Sequence, residues 1–151
     1  MARTDLDPLD IWRRAMVDNV RRDAPDLSAR QMAALLTVYM TEPPHTVRGL
    51  AADLGVSKPV ITRALDRLGE LGLARRKTDP RDGRSDVVQR TVKGSVYLAE
   101  LAEIIANAQL ERDRARAAEM ARQAKRKAAA KPAASKPNKA AAPKAKATAG
   151  R

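Results

Sequence analysis

Residues 46–73 read Thr-Val-Arg-Gly-Leu-Ala-Ala-Asp-Leu-Gly-Val-Ser-Lys-Pro-Val-Ile-Thr-Arg-Ala-Leu-Asp-Arg-Leu-Gly-Glu-Leu-Gly-Leu. Leu50, Ala51 and Leu54 give a first short helix one apolar side. Gly55 stands where a left-handed residue closes a helix, a conformation that glycine adopts without steric cost. Ser57 is placed to cap the next helix through its hydroxyl. Pro59 falls in that helix's first turn, where a missing N–H does no harm. Ile61, Leu65 and Leu68 recur at i, i+4 and i+7, so one side packs inward. The opposite side carries Pro59, Thr62, Arg63 and Asp66, with Lys58 and Arg67 beside them. The pattern predicts a helix-turn-helix whose second helix offers short polar and basic side chains outward. An α-helix fits the major groove of DNA, where arginine can bond guanine in bidentate fashion and threonine can donate, accept or touch a thymine methyl. The plainer reading is a helical hairpin with a merely solvated polar face. Agreement of turn, cap and outward face favours DNA.

After this stretch, Leu73-Ala-Arg-Arg-Lys-Thr is short and can be extended. Asp79-Pro-Arg-Asp-Gly-Arg-Ser is dense in turn formers, and Asp86-Val-Val-Gln-Arg-Thr returns as a second strand. A β-hairpin directly after a recognition helix is a wing. Arg81 and Arg84 at its tip can enter the minor groove or grip phosphates, with Asp82 placed to steady Arg84. Thr91 is the expected cap of a last helix, supported by Val92, Val96, Leu98, Leu101, Ile104 and Ile105. Tyr97, Leu101, Ile104 and Ala108 share one stripe. Large apolar residues almost vanish beyond Leu110, so the distal part of this helix is expected to lack a core beneath it.

Ahead of the stretch, a helix is expected from Pro8 to about Arg22, with Asp7 as its cap. Leu9, Trp12 and Met16 fall on one stripe, which suits core packing or contact with a second copy of the chain. A tryptophan so near the N-terminus favours an interface. Ser28 should cap a second helix, running to about Met40, with Met32, Leu35, Leu36 and Tyr39 inward. Thr41-Glu-Pro-Pro-His is a loop, with His45 expected exposed or half-packed.

Composition bounds the rest. The chain has 151 residues, no phenylalanine, one tryptophan and two tyrosines, so its core must be aliphatic. It has no cysteine, which excludes disulfides, thiolate metal sites and cysteine nucleophiles. The lone His45 makes no metal site, and the scattered acids offer no catalytic pair. No enzyme activity, metal or cofactor is expected. No apolar run is long enough to span a membrane, and the polar, acidic start is unlike a secretory signal. The expected location is the bacterial cytoplasm, at the nucleoid. The formal charge is +12. Residues 1–119 hold 20 Lys/Arg and 18 Asp/Glu, whereas residues 120–151 hold ten Lys/Arg and no acid. Electrostatic affinity for a polyanion therefore resides mainly in the tail. From about residue 128 onward the chain is alanine, lysine and proline with little else, and is expected to be disordered.

The order helix, helix, helix-turn-helix, wing, long helix resembles the MarR family of bacterial transcription regulators. The resemblance is carried by residues 50–68, by Gly-Leu-Ala-Arg-Arg at 72–76, by Asp-Pro-Arg-Asp-Gly-Arg-Ser at 79–85 and by Thr-Val-Lys-Gly at 91–94. The wing matches that family's Asp-x-Arg pattern at Asp82 and Arg84. The resemblance implies a homodimer on a pseudo-palindrome, with recognition by the Ser57–Arg67 helix and Arg84 as the wing arginine. The expected fold is mostly α with a small β-hairpin: a winged helix-turn-helix with flanking dimerisation helices and a disordered basic tail. The expected divisions are a frayed 1–7, a domain at 8–119 that includes flanking helices at 8–22 and 91–119, and a tail at 120–151.

The expected DNA contacts are Ser57, Lys58, Pro59, Thr62, Arg63, Arg67, Arg81 and Arg84. The expected dimer contacts are Leu9, Trp12, Met16, Tyr97, Leu101 and Ile104. Family members usually close the dimer with a C-terminal helical pair, but here a single helix precedes the basic tail. Many members also bind a small ligand between dimer and DNA-binding regions; Trp12, Tyr39 and His45 are the residues here with the chemistry to line such a pocket. The expected function is sequence-specific regulation of transcription on double-stranded DNA. The alternative is a nucleoid-associated architectural protein of low sequence specificity, which the lysine-rich tail would serve.

Overall fold

The computed structural model describes residues 7–80, 83 and 86–130. In chain order these form α1 (Asp7–Arg21), α2 (Ala29–Met40), β1 (His45–Thr46), α3 (Val47–Asp53), α4 (Lys58–Glu70), β2 (Ala74–Thr78), β3 (Asp86–Arg90) and α5 (Val92–Ala129). The mostly helical architecture with a small antiparallel sheet is the one the sequence predicts. The chain divides into two compact units, one ending at Asp113 and the other beginning at Arg114.

The helix-turn-helix forms for local reasons. Thr46 caps α3, its hydroxyl accepting from the Gly49 N–H at 3.0 Å. At the other end Gly55 has φ +61°, and the N–H groups of Gly55 and Val56 return to the carbonyls of Ala52 and Ala51. This pair of bonds is the Schellman closure, which needs a left-handed residue at its centre. The end of α4 repeats it, with Leu73 N–H on the Leu68 carbonyl at 2.8 Å. Ser28 caps α2 in a reciprocal box with Gln31.

One expected cap is absent. Ser57 precedes α4 but makes no side-chain cap bond. Pro59 has no N–H to offer, and the Val60 N–H is taken by the Ser57 carbonyl at 3.0 Å. The Ser57 hydroxyl therefore has no backbone donor to receive.

The sheet has three strands, in the order β1-β3-β2. The hairpin pairs Ala74 with Arg90 and Thr78 with Asp86. Two residues, His45 and Thr46, add the third strand by pairing with Val88 and Val87. His45 is consequently buried, 7% exposed, with no partner for Nε2 among the described residues. The expectation of an exposed or half-packed histidine is corrected: sheet pairing carries it inward.

The core joins α2, α3, α4, the sheet and the start of α5, with Leu35, Val38, Leu50, Ile61, Leu65, Leu68, Leu73, Val88 and Tyr97 buried together. Its centre of hydrogen bonding is Tyr39. The phenolic oxygen accepts from the Thr91 N–H at 2.7 Å and lies 2.8 Å from the Leu73 carbonyl and 3.0 Å from the Thr91 carbonyl. The Thr91 hydroxyl meanwhile accepts from Gly94 N–H as the cap of α5 and donates to the Gly72 carbonyl. Three segments, the end of α2, the turn at 72–73 and the start of α5, thus meet at one knot.

α1 runs antiparallel to α5, tied by Asp7–Arg112 at 2.9 Å, Arg14–Glu111 at 3.4 Å and Arg22–Glu100 at 3.1 Å. Ala15 and Ala108 are buried along this run. Asp7, expected as a cap, is instead the first residue of α1 and turns its carboxylate to Arg112. Within the second unit, α5 continues to Ala129.

Candidate nucleic-acid interface

α4 presents two unlike sides. Ile61, Ala64, Leu65 and Leu68 are buried against the core. Ser57, Lys58, Pro59, Arg63, Asp66 and Arg67 are exposed and Thr62 is half-buried. The aliphatic side fixes the helix; the polar side has no packing duty.

The charges on that side are not equivalent. Arg67 pairs with Glu70 at 3.0 Å, and Asp66 holds Arg76 of β2. Exposed pairs of this kind contribute little to stability, but they restrict where the side chains point. Thr62 donates its hydroxyl to the Lys58 carbonyl at 3.0 Å. Lys58 and Arg63 have no ion pair among the described residues, so they are the cations that remain available on this helix. The Asp66–Arg76 pair joins α4 to β2, so the two surfaces are set relative to each other.

Arg30, in the first turn of α2, was missed by the sequence reading. It shares a surface hollow with Ser28, Gln31, Val60, Arg63 and Ala64. Two arginines therefore flank one depression beside α4. Its sequence signal was weak, since one arginine on an exposed helix turn is ordinary. Arg75 and Lys77 are exposed along β2 and extend the basic surface. Arg81, Asp82 and Arg84, expected at the wing tip, lie outside the described residues.

The expected dimer residues separate. Leu9 and Trp12 stand exposed on α1, Trp12 at 53%, alongside Val20. Met16 and Ile104 are half-buried. Tyr97 and Leu101 are corrected: both are buried in the chain's own core, at 5% each. Tyr97 sits under the Arg22 guanidinium, 4.6 Å from its ring centre. Their apolar spacing signalled packing against the chain itself. The three candidates for a ligand pocket are also dispersed in role: Tyr39 is held in the knot, His45 lies in β1, and Trp12 faces outward. Among the described residues no cluster of His, Cys, Asp or Glu is placed to hold a metal ion. No described helix is long and apolar enough to cross a membrane.

A three-stranded sheet closing a helix-turn-helix, with a polar second helix turned outward, defines the winged helix-turn-helix class. Residues 26–85 match the model of the MarR family. Solved structures agree in fold. MarR is 26% identical, with 80% of this chain and 88% of MarR covered at a TM-score of 0.50. PcaV from Streptomyces coelicolor, in complex with its natural ligand, is 25% identical, covering 71% and 78% at a TM-score of 0.50. S. aureus MepR in its DNA complex is 22% identical, covering 65% and 81% at 0.53, a likeness of fold.

Proposed function

We propose that the chain is a sequence-specific transcription regulator acting as a homodimer on double-stranded DNA, in the bacterial cytoplasm at the nucleoid. α4 lies in the major groove with Thr62 and Arg63 toward base edges. Ser57, Lys58, Pro59 and Arg67 border the phosphates, because they sit at the ends of the exposed row. Arg81 and Arg84 of the wing take the minor groove or phosphate, with Asp82 steadying Arg84. The observation that carries this reading is Arg63, without an ion pair among the described residues and exposed on a helix whose other side is packed. A contact that reads sequence needs such a fixed base, since a mobile one loses its geometry to entropy.

Two copies joined through Leu9, Trp12 and Val20 of α1 would present two recognition helices to a pseudo-palindrome. Binding over a promoter then blocks or redirects polymerase by occupancy. PcaV was solved with a natural ligand; a small-molecule effector fits the same class, and no residue here is assigned to it. The second reading, an architectural protein that coats DNA, draws on the C-terminal charge. The ordered, differentiated surface of α4 supports the first.

Arg63→Ala decides between base and backbone contact. Preference for the true site should fall by about 1–3 kcal/mol while affinity for unrelated duplex changes little. Equal losses on every sequence would make Arg63 a phosphate contact. Genome-wide mapping should give sharp peaks sharing a palindrome, whereas diffuse coverage would favour the architectural reading.

A further inference from the structure

The charge of this protein is divided as sharply as its fold. Residues 1–113, the first compact unit, hold 18 Lys/Arg against 17 Asp/Glu. Residues 114–151 hold 12 Lys/Arg against the single Glu119. Six of those cations, Arg114, Arg116, Arg122, Lys125, Arg126 and Lys127, belong to the helical part of the second unit, where nearly every residue is exposed. Six more follow in residues 131–151.

We infer that residues 114–151 form a second DNA-binding element, one that grips the phosphates of duplex DNA without reading bases. The inference rests on the first unit being a DNA-binding module, which supplies the duplex. Chemistry narrows the partner to a polyanion, since no other ligand class matches cations spaced over so long a segment in which Glu119 is the single acid. It also argues against a membrane. A surface-binding helix needs an apolar side rich in Trp, Phe or Leu; the only large apolar residue from 114 onward is Met120. Around the helix axis the six cations are spread widely, so no single groove-reading face exists. Non-specific phosphate contact tolerates that spread; base readout does not.

The physical gain comes from tethering. Once α4 is seated, the linked cations meet flanking phosphates at an effective concentration in the millimolar range, so weak individual contacts become occupied. Each phosphate neutralised adds about 0.9 to the salt slope. If half of the twelve cations engage, the slope should steepen by about 5. The same contacts would lengthen the DNA footprint without changing the operator.

The test uses the full chain. In one variant the twelve basic residues from Arg114 to Arg151 are replaced by glutamine, which keeps helix propensity. A second variant carries Lys58→Ala and Arg63→Ala. Both are titrated against a 40-base-pair duplex of arbitrary sequence across a salt series, with helicity checked by circular dichroism. The glutamine variant should bind at least ~10-fold more weakly near physiological salt and lose about 5 from its slope. The α4 variant, which removes two cations, should lose no more than about 2 from the slope. A glutamine variant that binds with wild-type affinity and slope overturns the second element. If instead the α4 variant is unaffected on every duplex while the glutamine variant loses all binding, the reading of α4 fails and this element stands. Tighter association of the wild type with single-stranded RNA or phosphatidylserine vesicles than with duplex would also overturn it.

Discussion

Replacing Gly94 by alanine tests the knot at the start of α5. Alanine is favoured over glycine inside a helix by about 1 kcal/mol, so propensity alone predicts stabilisation. The surroundings predict the reverse. A Cβ on Gly94 would fall inside contact distance of the Tyr39 hydroxyl and the Leu73 carbonyl oxygen, and only 2.7 Å from Tyr39 Cζ. Ordinary carbon contacts lie near 3.5–4.0 Å, so something must move by roughly 1 Å. The Leu73 carbonyl is backbone, and Tyr39 is held by Thr91 and Leu73, so neither yields freely. Overpacking of this kind costs about 1–3 kcal/mol, and orphaning the Thr91 N–H adds about 1–3 more. After subtracting the propensity gain, Gly94→Ala should destabilise the fold by about 1–5 kcal/mol. Urea denaturation followed by far-ultraviolet circular dichroism measures it. Gly69→Ala is the control: it also lies in a helix, but its Cβ meets nothing closer than 4.0 Å. Gly94→Ala as stable as wild type would refute the account of this junction.

Tyr39→Phe should cost about 1–3 kcal/mol in the same assay, because the ring still packs while the Thr91 N–H loses its acceptor. If the proposed homodimer forms through α1, Trp12→Ser should shift sedimentation from dimer toward monomer with little change in the stability of the monomer, since the residue is already 53% exposed. Retained dimerisation would move the interface elsewhere. Hydrogen bonds from Arg14 and then Arg13 hold the Asp10 carboxyl below its ordinary value of 3.8. A group lowered in the folded state contributes above its unfolded value and loses that contribution as pH falls through the folded one. Stability should therefore show no Asp10-linked loss down to about pH 4 and decline below it. Asp10→Asn should flatten part of that acid limb.

What the sequence made legible was local. Gly55 and Ser28 act within four or five residues, as does Thr91 in capping α5, so these roles could be read before any packing was known. The exposed side of α4 followed from the spacing of Ile61, Leu65 and Leu68. What stayed hidden depends on distant pairings. β1 is two residues long and exists only because Val87 and Val88 return beside it. Tyr39 bonds partners 34 and 52 residues away. Arg90 donates to the carbonyls of Val38 and Thr41 at the end of α2, each at 2.8 Å, and nothing in its own neighbourhood announces that task. The stripe through Tyr97 and Leu101 declared that it would be covered, but periodicity does not name the cover. Ser57 failed as a cap because Pro59, correctly placed in the first turn, removed one of the donors it needed.

The contact between Asp7 and Arg112 closes the first unit on itself. Its earliest described residue and one of its last lie a single ion pair apart, although 105 positions separate them. A short added linker could therefore join those two ends, and the backbone could be reopened in the exposed loop at 41–44 without parting any strand or helix. The order in which these elements are threaded is thus separable from the shape they assume.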